Sequence, residues 1–597
     1  MTVSSSVLLD SAPSLPALLR AVAEAQPHRP AQWRRGDDGY LPVTYEQFDA
    51  RIRSLACGLL LAGVKGGDRV VVLMENIPEW AMVDYAIMSV GAVTVPMYCS
   101  FRPQDIAYVL KDCGATLAFT SGGSLLNHLL AAADETRGLK KIYALNPGGV
   151  KDARLHALAD LHTQAGGNPR DAAELDKRLA GVRRDTLATL VYTSGTTGNP
   201  KGVMLSHGNI MANLEVVPRI IRLRDDDMML SFLPLAHALE RTGGHFLPYS
   251  FGLSVAFAER PDTVAKNMAE ARPTLLITVP RLLEVIRSRM LGQVAQQSLP
   301  ARLMFNRFLS LGLRRGEGEL SAFNRLSLRL LDRIVGQKIR DRFGRRLRLL
   351  ISGGAPLSED VAAFFEALGL PVLEGYGMTE AAPLVSVNPM DDRRIGSVGR
   401  PAHNTEVKIA DDGEILVRGP NVMSGYWKEK KESTAMLADG WLHTGDIGYL
   451  DDGYLYITDR KKDLIVNSGG ENIAPQRIEN LLVGDPLIDQ VVVFGDQRPY
   501  LVALLVPNRD NCTAWAAEQG LPESDWPHLC ASKVLRKMLQ TRVASILHPL
   551  SAYEQVRRIS LLDTPLTIED GLLTPTMKVR RRQVFERYGE LLETLYS

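Results

Sequence analysis

Cysteine is scarce in this chain and forms no pattern: Cys57, Cys99, Cys113, Cys512 and Cys530 are odd in number and include no Cys-x-x-Cys pair. That excludes a disulfide frame and a zinc ribbon, and it points to reduced thiols in a cytoplasmic protein. Excess charge of either sign is missing as well, with 69 Lys and Arg set against 68 Asp and Glu. No global field therefore draws nucleic acid, and no basic stretch interleaved with aromatics supplies a local one. Long apolar runs are absent: the stretches 59–64 and 501–507 fall far short of a spanning helix. Residues 1–13 lack both a basic n-region and a long apolar h-region, so export is not expected. There are no internal repeats and no low-complexity segments. What remains is an ordinary globular composition, 45% hydrophobic and 23% charged, spread over 597 residues. That length is too great for one core and calls for two or more domains.

Strand and helix signals alternate through the first three-quarters of the chain. Buried-strand runs at 69–74 and 92–97 flank a helical pattern at 79–90. The alternation recurs with strands at 228–233, 275–279 and 347–352, followed by helices at 236–246, 281–289 and 358–368. Such order predicts layered α/β structure with largely parallel sheets. After about Asn404 the texture becomes short β pieces with turn punctuation at Asp411-Asp412-Gly413 and Asp451-Asp452-Gly453. The charge cluster Asp459-Arg460-Lys461-Lys462-Asp463 reads as either a solvated turn or an interdomain linker.

The most informative stretch is Tyr192-Thr193-Ser194-Gly195-Thr196-Thr197-Gly198-Asn199-Pro200-Lys201-Gly202, directly after the apolar run 187–191. Glycines let the main chain approach a bulky anion, and the exposed N–H groups of such a loop favour negative charge. Thr193, Ser194, Thr196 and Thr197 add hydroxyls and Lys201 adds a point charge, a set suited to polyphosphate. It is not a Walker A loop, because Lys201 sits between Pro200 and Gly202 and not before a Ser or Thr. A second constellation, Glu374-Gly375-Tyr376-Gly377-Met378-Thr379-Glu380, follows a strand-like run. It offers an aromatic face, close backbone, a hydroxyl, and in Glu380 a hard oxygen suited to Mg²⁺. Ser352-Gly353-Gly354-Ala355-Pro356 ends another strand, where backbone can line a slot for a flat base. His237 and His245 suggest a metal, but no Cys or acidic pair completes a ligand set, so hydrogen-bonded helical histidines are the better reading.

These motifs, in this order from about Thr44 to Lys578, resemble the adenylate-forming superfamily of acyl- and aryl-CoA synthetases, luciferases and adenylation domains. The resemblance implies a large N-terminal domain of layered α/β subdomains plus a β-rich subdomain at 1–459. A small, mobile α+β domain at 460–597 would follow, with a hinge near Lys462. It assigns Ser194 to Gly198 and Lys201 to the nucleotide phosphates, with Thr193 beside them. Gly353, Gly354, Ala355, Glu374, Gly375, Tyr376, Gly377 and Met378 would line the adenine slot, Thr379 would meet the α-phosphate, and Glu380 would hold magnesium. Asp446 and Arg460 match the ribose pair, and His237 lies where the family positions its acyl substrate. Lys578, in Leu573-Thr574-Pro575-Thr576-Met577-Lys578, matches the mobile lysine of adenylation, and Ser468, Gly469 and Gly470 match a loop near the pantetheine path.

The linker, the Ser468-Gly469-Gly470-Glu471-Asn472 segment, the long insertion before Ser352 and the C-terminal motif are similar to those of a long-chain fatty acyl-CoA synthetase. The implied substrates are a fatty acid, ATP with Mg²⁺, and CoA. An acyl-AMP or aryl-CoA ligase is the alternative within the same chemistry, and a non-catalytic nucleotide-binding scaffold is the alternative outside it. One segment stands apart: residues 287–348 hold fourteen Arg and Lys338 against Glu317, Glu319, Asp332 and Asp341, a local excess of +11. With Leu303, Phe305, Phe308 and Leu311 threaded through at helical spacing, it is either a helical insertion with a solvated basic face or a membrane-surface patch or anionic-ligand funnel.

Overall fold

The valine-rich run at 69–74 forms the strand Arg69–Leu73, and the run at 92–97 forms Val93–Pro96, paired with it in parallel. The computed structural model describes all residues except 1–4, 38, 165–168, 194–198, 261–262, 317–319, 470, 522–524 and 575–578. In it these two strands sit near the middle of a seven-stranded sheet that also carries Leu117–Gly122, Leu187–Thr193 and Lys201–Ser206. Nearly every position of the two central strands is buried. That is the expected signature of parallel strands covered on both faces, and it explains their unbroken apolar sequence.

A second, nine-stranded sheet is built the same way. Met228–Ser231, Leu275–Thr278, Leu349–Ser352 and Val372–Gly377 run parallel to one another, while Leu384–Val387 returns antiparallel at one side. Beyond it, the β-rich texture after Asn404 is a four-stranded antiparallel sheet ending in Leu442–Asp451 and Tyr454–Arg460. From Ile465 onward the chain buries apolar side chains among themselves, around the three-stranded sheet Ile488–Phe494, Leu501–Pro507 and Val556–Leu561.

Two local expectations change. The helix expected over 236–246 is a short α-turn, Ala238–Glu240, a wider π segment, Arg241–Phe246, and a second α-turn, Leu247–Ser250. Gly243 and Gly244 permit the widening: a Cβ at Gly243 would meet Cδ1 of Ile277 at 2.2 Å, and one at Gly244 would meet the Glu240 carboxylate at 2.5 Å. π segments inside helices commonly mark functional sites. The charge cluster at 459–463 is also only partly solvated. Asp459 is buried, its carboxylate accepting N–H bonds from Arg460 at 2.6 Å and Gln476 at 3.4 Å, and burial pushes its carboxyl up to about 6.

The helix Pro78–Ser89 is buried on almost every side and includes Asp84. A lone carboxylate there would be costly, so it needs a partner. Arg241 supplies one, with Nη2 at 2.6 Å and Nε at 3.1 Å, and Nε2 of His245 lies 3.1 Å away. The Arg241 guanidinium and His245 hold the Asp84 carboxyl down at about 2 against the opposing effect of burial. His245 is thereby a core residue, and no cluster of three or more metal-ligating side chains exists among the described residues.

Candidate active site

Parallel strands in open α/β sheets present their ligands at their carboxyl ends. In the nine-stranded sheet, four such ends open onto one cleft of about 3110 Å³. Met228–Ser231 leads to Pro234 and His237, Leu275–Thr278 to Pro280, Leu349–Ser352 to Gly353, Gly354 and Ala355, and Val372–Gly377 to Met378, Thr379 and Glu380. Gly354 takes φ +84°, a left-handed turn that other residues rarely adopt. Gly377 is required for a different reason, since a Cβ there would stand 1.8 Å from the Pro383 carbonyl oxygen.

The phosphate-loop candidate is a hairpin connection. Leu187–Thr193 pairs antiparallel with Lys201–Ser206, and Thr193 faces Lys201 in the ladder, so the two residues that bracket the loop are fixed side by side. Both line the cleft. Ser194, Gly195, Thr196, Thr197 and Gly198 lie outside the described residues.

Opposite the hairpin, Tyr376, Asp446 and Arg460 form a connected group. The Tyr376 hydroxyl donates to Oδ2 of Asp446 at 2.6 Å, and Nε of Arg460 lies 3.1 Å from Oδ1. Asp446 and Arg460 are direct partners across the strands Leu442–Asp451 and Tyr454–Arg460, so their pairing is built into the ladder. Burial, then the neighbouring Asp446, push the Tyr376 phenol well above its ordinary value, keeping it a donor. Glu374, on the same strand as Tyr376, accepts the Leu357 N–H at 3.1 Å, and burial pushes its carboxyl up to about 8.

Glu380 is buried in the turn that follows. Burial raises its carboxyl above the usual range, while the Tyr426 hydroxyl, donating at 2.8 Å, opposes that rise. The ring of Tyr426 also lies under the Lys201 ammonium, 5.4 Å from the centroid, and its main chain bridges Val203 in the hairpin's second strand. Tyr426 thus joins the candidate phosphate hairpin to the candidate metal ligand. Sequence reasoning missed it, and the only local signal was an aromatic after Gly425 in the turn-rich segment 419–427. Glu240, one residue before the π segment, is a buried acid with the Ser231 hydroxyl donating at 2.7 Å, and burial pushes its carboxyl up to about 8.

The remaining expected residues divide. His237 caps the turn Ala238–Glu240, its Nδ1 accepting the Leu239 N–H at 3.2 Å, and it lines the cleft. Lys462 lies on the cleft wall in a turn just beyond Arg460. Ser468 and Gly469 are exposed; their N–H groups donate to the Arg498 carbonyl at 3.0 Å and to Asn467 Oδ1 at 2.9 Å. Gly470 and Lys578 are outside the described residues, although Thr574 and Val579, on either side of Lys578, line the same cleft.

Residues 19–427 match the family described as AMP-binding enzyme, and residues 462–597 match the AMP-binding enzyme C-terminal domain. The chain belongs to the AMP-binding enzyme family. Among curated relatives of this AMP-binding enzyme, the long-chain-fatty-acid–CoA ligase FadD15 of Mycobacterium bovis is 35% identical over 94% of this chain and 93% of its own. Long-chain-fatty-acid–CoA ligase 6 of Mus musculus is 32% identical over 96% of this chain and 83% of its own. Among solved structures, the adenylation domain of a carboxylate reductase from Mycobacterium chelonae superposes with a TM-score of 0.77 at 23% identity, covering 99% of this chain and 92% of that one. An anthranilate CoA ligase bound to anthranoyl-AMP gives 0.73 at 20% identity, over 98% of both chains. At such identities the structural likeness establishes the fold of this AMP-binding enzyme, an α/β domain with a separate C-terminal domain.

Proposed function

We propose that this enzyme activates a long-chain fatty acid with ATP and passes the acyl group to CoA. The observation that carries the reading is the convergence on one cleft of the Thr193–Lys201 hairpin, the Tyr376–Asp446–Arg460 group and the Glu380–Tyr426 pair. It is supported by relatives named for fatty-acid–CoA ligation that align along nearly the whole chain. A carboxylate oxygen of the acid attacks the α-phosphorus, and the bond to the departing pyrophosphate breaks. The CoA thiolate then attacks the acyl carbon of the mixed anhydride, and AMP leaves. No side-chain nucleophile is needed, so catalysis rests on positioning and on charge stabilisation.

In this reading the Ser194 to Gly198 loop and Lys201 hold phosphate oxygens, Tyr376 lies against adenine, and Asp446 accepts from the ribose hydroxyls while Arg460 fixes its orientation. His237 orients the acyl carboxylate. Glu380 fits Mg²⁺, which is ordinarily held by one or two carboxylates together with substrate phosphates and water. The bound ion would neutralise phosphate charge, and Tyr426 would keep the carboxylate aimed. Lys578 serves the first half-reaction. The unit 460–597 then turns about Lys462, bringing the Ser468 to Gly470 loop toward CoA, as in hinge closure between domains. The enzyme would work in the cytoplasm against the inner face of a membrane, where a poorly soluble acid collects. No helix among the described residues is long and apolar enough to cross that membrane.

The test is pyrophosphate release across fatty acids of graded length, followed by thioester detection with free CoA. Acid-dependent pyrophosphate release without a CoA thioester would favour an acyl-AMP ligase. Preference for aromatic acids would favour an aryl-CoA ligase, and no turnover at all would leave a nucleotide-binding scaffold.

A further inference from the structure

The basic segment 287–348 resolves into two kinds of cation. Several arginines are consumed internally. Arg340 grips Asp332 at 2.7 and 2.9 Å, Arg345 pairs with Asp341, and Arg346 and Arg348 reach Asp226 and Asp227. Arg307, Arg315 and Arg325 also serve the fold, donating to Asn324 Oδ1 and to the carbonyls of Glu366 and Leu320. Arg302, Arg314, Arg329 and Arg333, by contrast, have no acidic or hydrogen-bonding partner among the described residues.

These unpaired cations accompany exposed apolar side chains. Of the twenty-one large hydrophobic residues exposed among the described residues, eight fall between 291 and 334, so the exposure is concentrated in this segment. Four of them, Phe323 at 74%, Leu326 at 56%, Leu330 at 53% and Ile334 at 49%, lie on the helix Ala322–Leu331 and its π continuation Asp332–Gly336. Their spacing of three, four and four residues places them on one stripe. The opposite face, through Leu328, Leu331 and Val335, packs into the core, so the helix has two apolar faces and only one is covered. Arg329 and Arg333, one residue before Leu330 and Ile334, flank the open stripe. The one acid between 320 and 339 is Asp332, already held by Arg340. An exposed apolar stripe bordered by cations, with no free anion on the helix among the described residues, is the makeup of a helix that lies in a lipid interface.

We infer that the face of Phe323, Leu326, Leu330 and Ile334 inserts shallowly into anionic bilayers, with Arg302, Arg314, Arg329 and Arg333 at the headgroups. The surface deepens the fatty-acid reading and rests on it for its purpose. The helix Pro280–Ala295 starts at the cleft wall, with Pro280, Arg281 and Glu284 on it, and leads outward to this segment, which connects the surface to the site. A second copy of the chain or a protein partner would have to offer acids in register with these cations, whereas an anionic bilayer offers both the apolar layer and the charge.

Flotation with phosphatidylcholine vesicles, with and without phosphatidylglycerol, tests the inference on the full chain. Wild type should float with the anionic vesicles far more than with the neutral ones. Raising salt from about 0.1 M to about 1 M shortens screening from about 10 Å to about 3 Å and should weaken the binding without abolishing it, because the inserted stripe is not screened. The variant Phe323→Ser/Leu330→Ser should bind at least about ten-fold more weakly and lose the salt-resistant fraction. Replacing Arg302, Arg314, Arg329 and Arg333 together by Gln should remove the preference for anionic vesicles, each cation near such a surface being worth roughly five-fold. A Phe323→Trp variant should gain emission that brominated lipid quenches. Both multiple variants should release pyrophosphate from a water-soluble medium-chain acid, without vesicles, at the wild-type rate; a wild type inactive there speaks against the fatty-acid reading and leaves the binding result to stand alone. Equal flotation of wild type and the Ser variant, or no quenching at position 323, overturns the inference. So does a stripe variant that changes oligomeric state and leaves vesicle binding intact.

Discussion

Tyr426 donates its hydroxyl to Oε1 of Glu380 at 2.8 Å; both side chains are buried, and the Tyr426 ring lies under the Lys201 ammonium. The hydrogen bond favours the charged carboxylate against the burial that raises it. Glu380→Gln should therefore lower acid-dependent pyrophosphate release by at least about 10²-fold at ordinary magnesium. Tyr426→Phe should show a milder loss together with a higher magnesium requirement. A magnesium titration of both variants checks this, and near-wild-type curves would remove the pair from the site.

Lys578→Ala separates the half-reactions. Adenylate formation should fall by at least about 10²-fold, the usual order for a positioned electrostatic group. Conversion of presynthesised acyl-adenylate with CoA should stay near wild type, since on the proposed reading the lysine has left the site by that step. Equal losses in both assays would make the residue structural.

The proposed hinge has its own signature. Lys462→Pro fixes φ and removes an N–H donor, so adenylate should form and accumulate while thioester production drops. Quenched-flow measurement of both species checks the order. Wild-type rates in both steps would place the pivot elsewhere.

A pH test follows from Glu240. Its carboxyl stands at about 8 in the fold against 4.5 when unperturbed, so folding favours the neutral acid. The associated stability is fully present below about 4.5 and is lost as pH rises through about 8. The slope is at most roughly 1.4 kcal/mol per pH unit in that window. Glu240→Gln cannot ionise and should lose less stability than wild type as pH is raised across the window. Urea midpoints measured at several pH values check it, and parallel curves for the two proteins would refute it.

What could be read from the sequence was what neighbours in the chain decide. The strand runs at 69–74, 228–233, 275–279 and 347–352 appear within a few residues of their expected places. The Thr193 and Lys201 bracket, the Tyr376 turn and the Asp446 and Arg460 positions, each named from its local motif, line a common cleft. What escaped depends on residues far apart. Tyr426 meets Glu380 across 46 positions, and Asp84 meets Arg241 across 157. The charge count over 287–348 could not separate Arg346 and Arg348, neutralised by acids about 120 residues upstream, from the unpaired Arg329 and Arg333. Periodicity marked a helix at 236–246 but carried no sign that a glycine pair would widen it.

The separate cores beyond Ile465 bear on how a turn of that unit would respond to temperature. Every residue of those cores comes from the unit itself, and contacts such as Asp459 with Gln476 and Arg281 with Asp489 are polar links across the division. Rotation would then exchange polar contacts and water while leaving apolar burial almost unchanged. Apolar exposure is the main source of heat-capacity change in proteins. The step between adenylation and thioester formation should accordingly have a near-zero activation heat capacity, giving a straight Eyring plot over the range in which both cores stay folded.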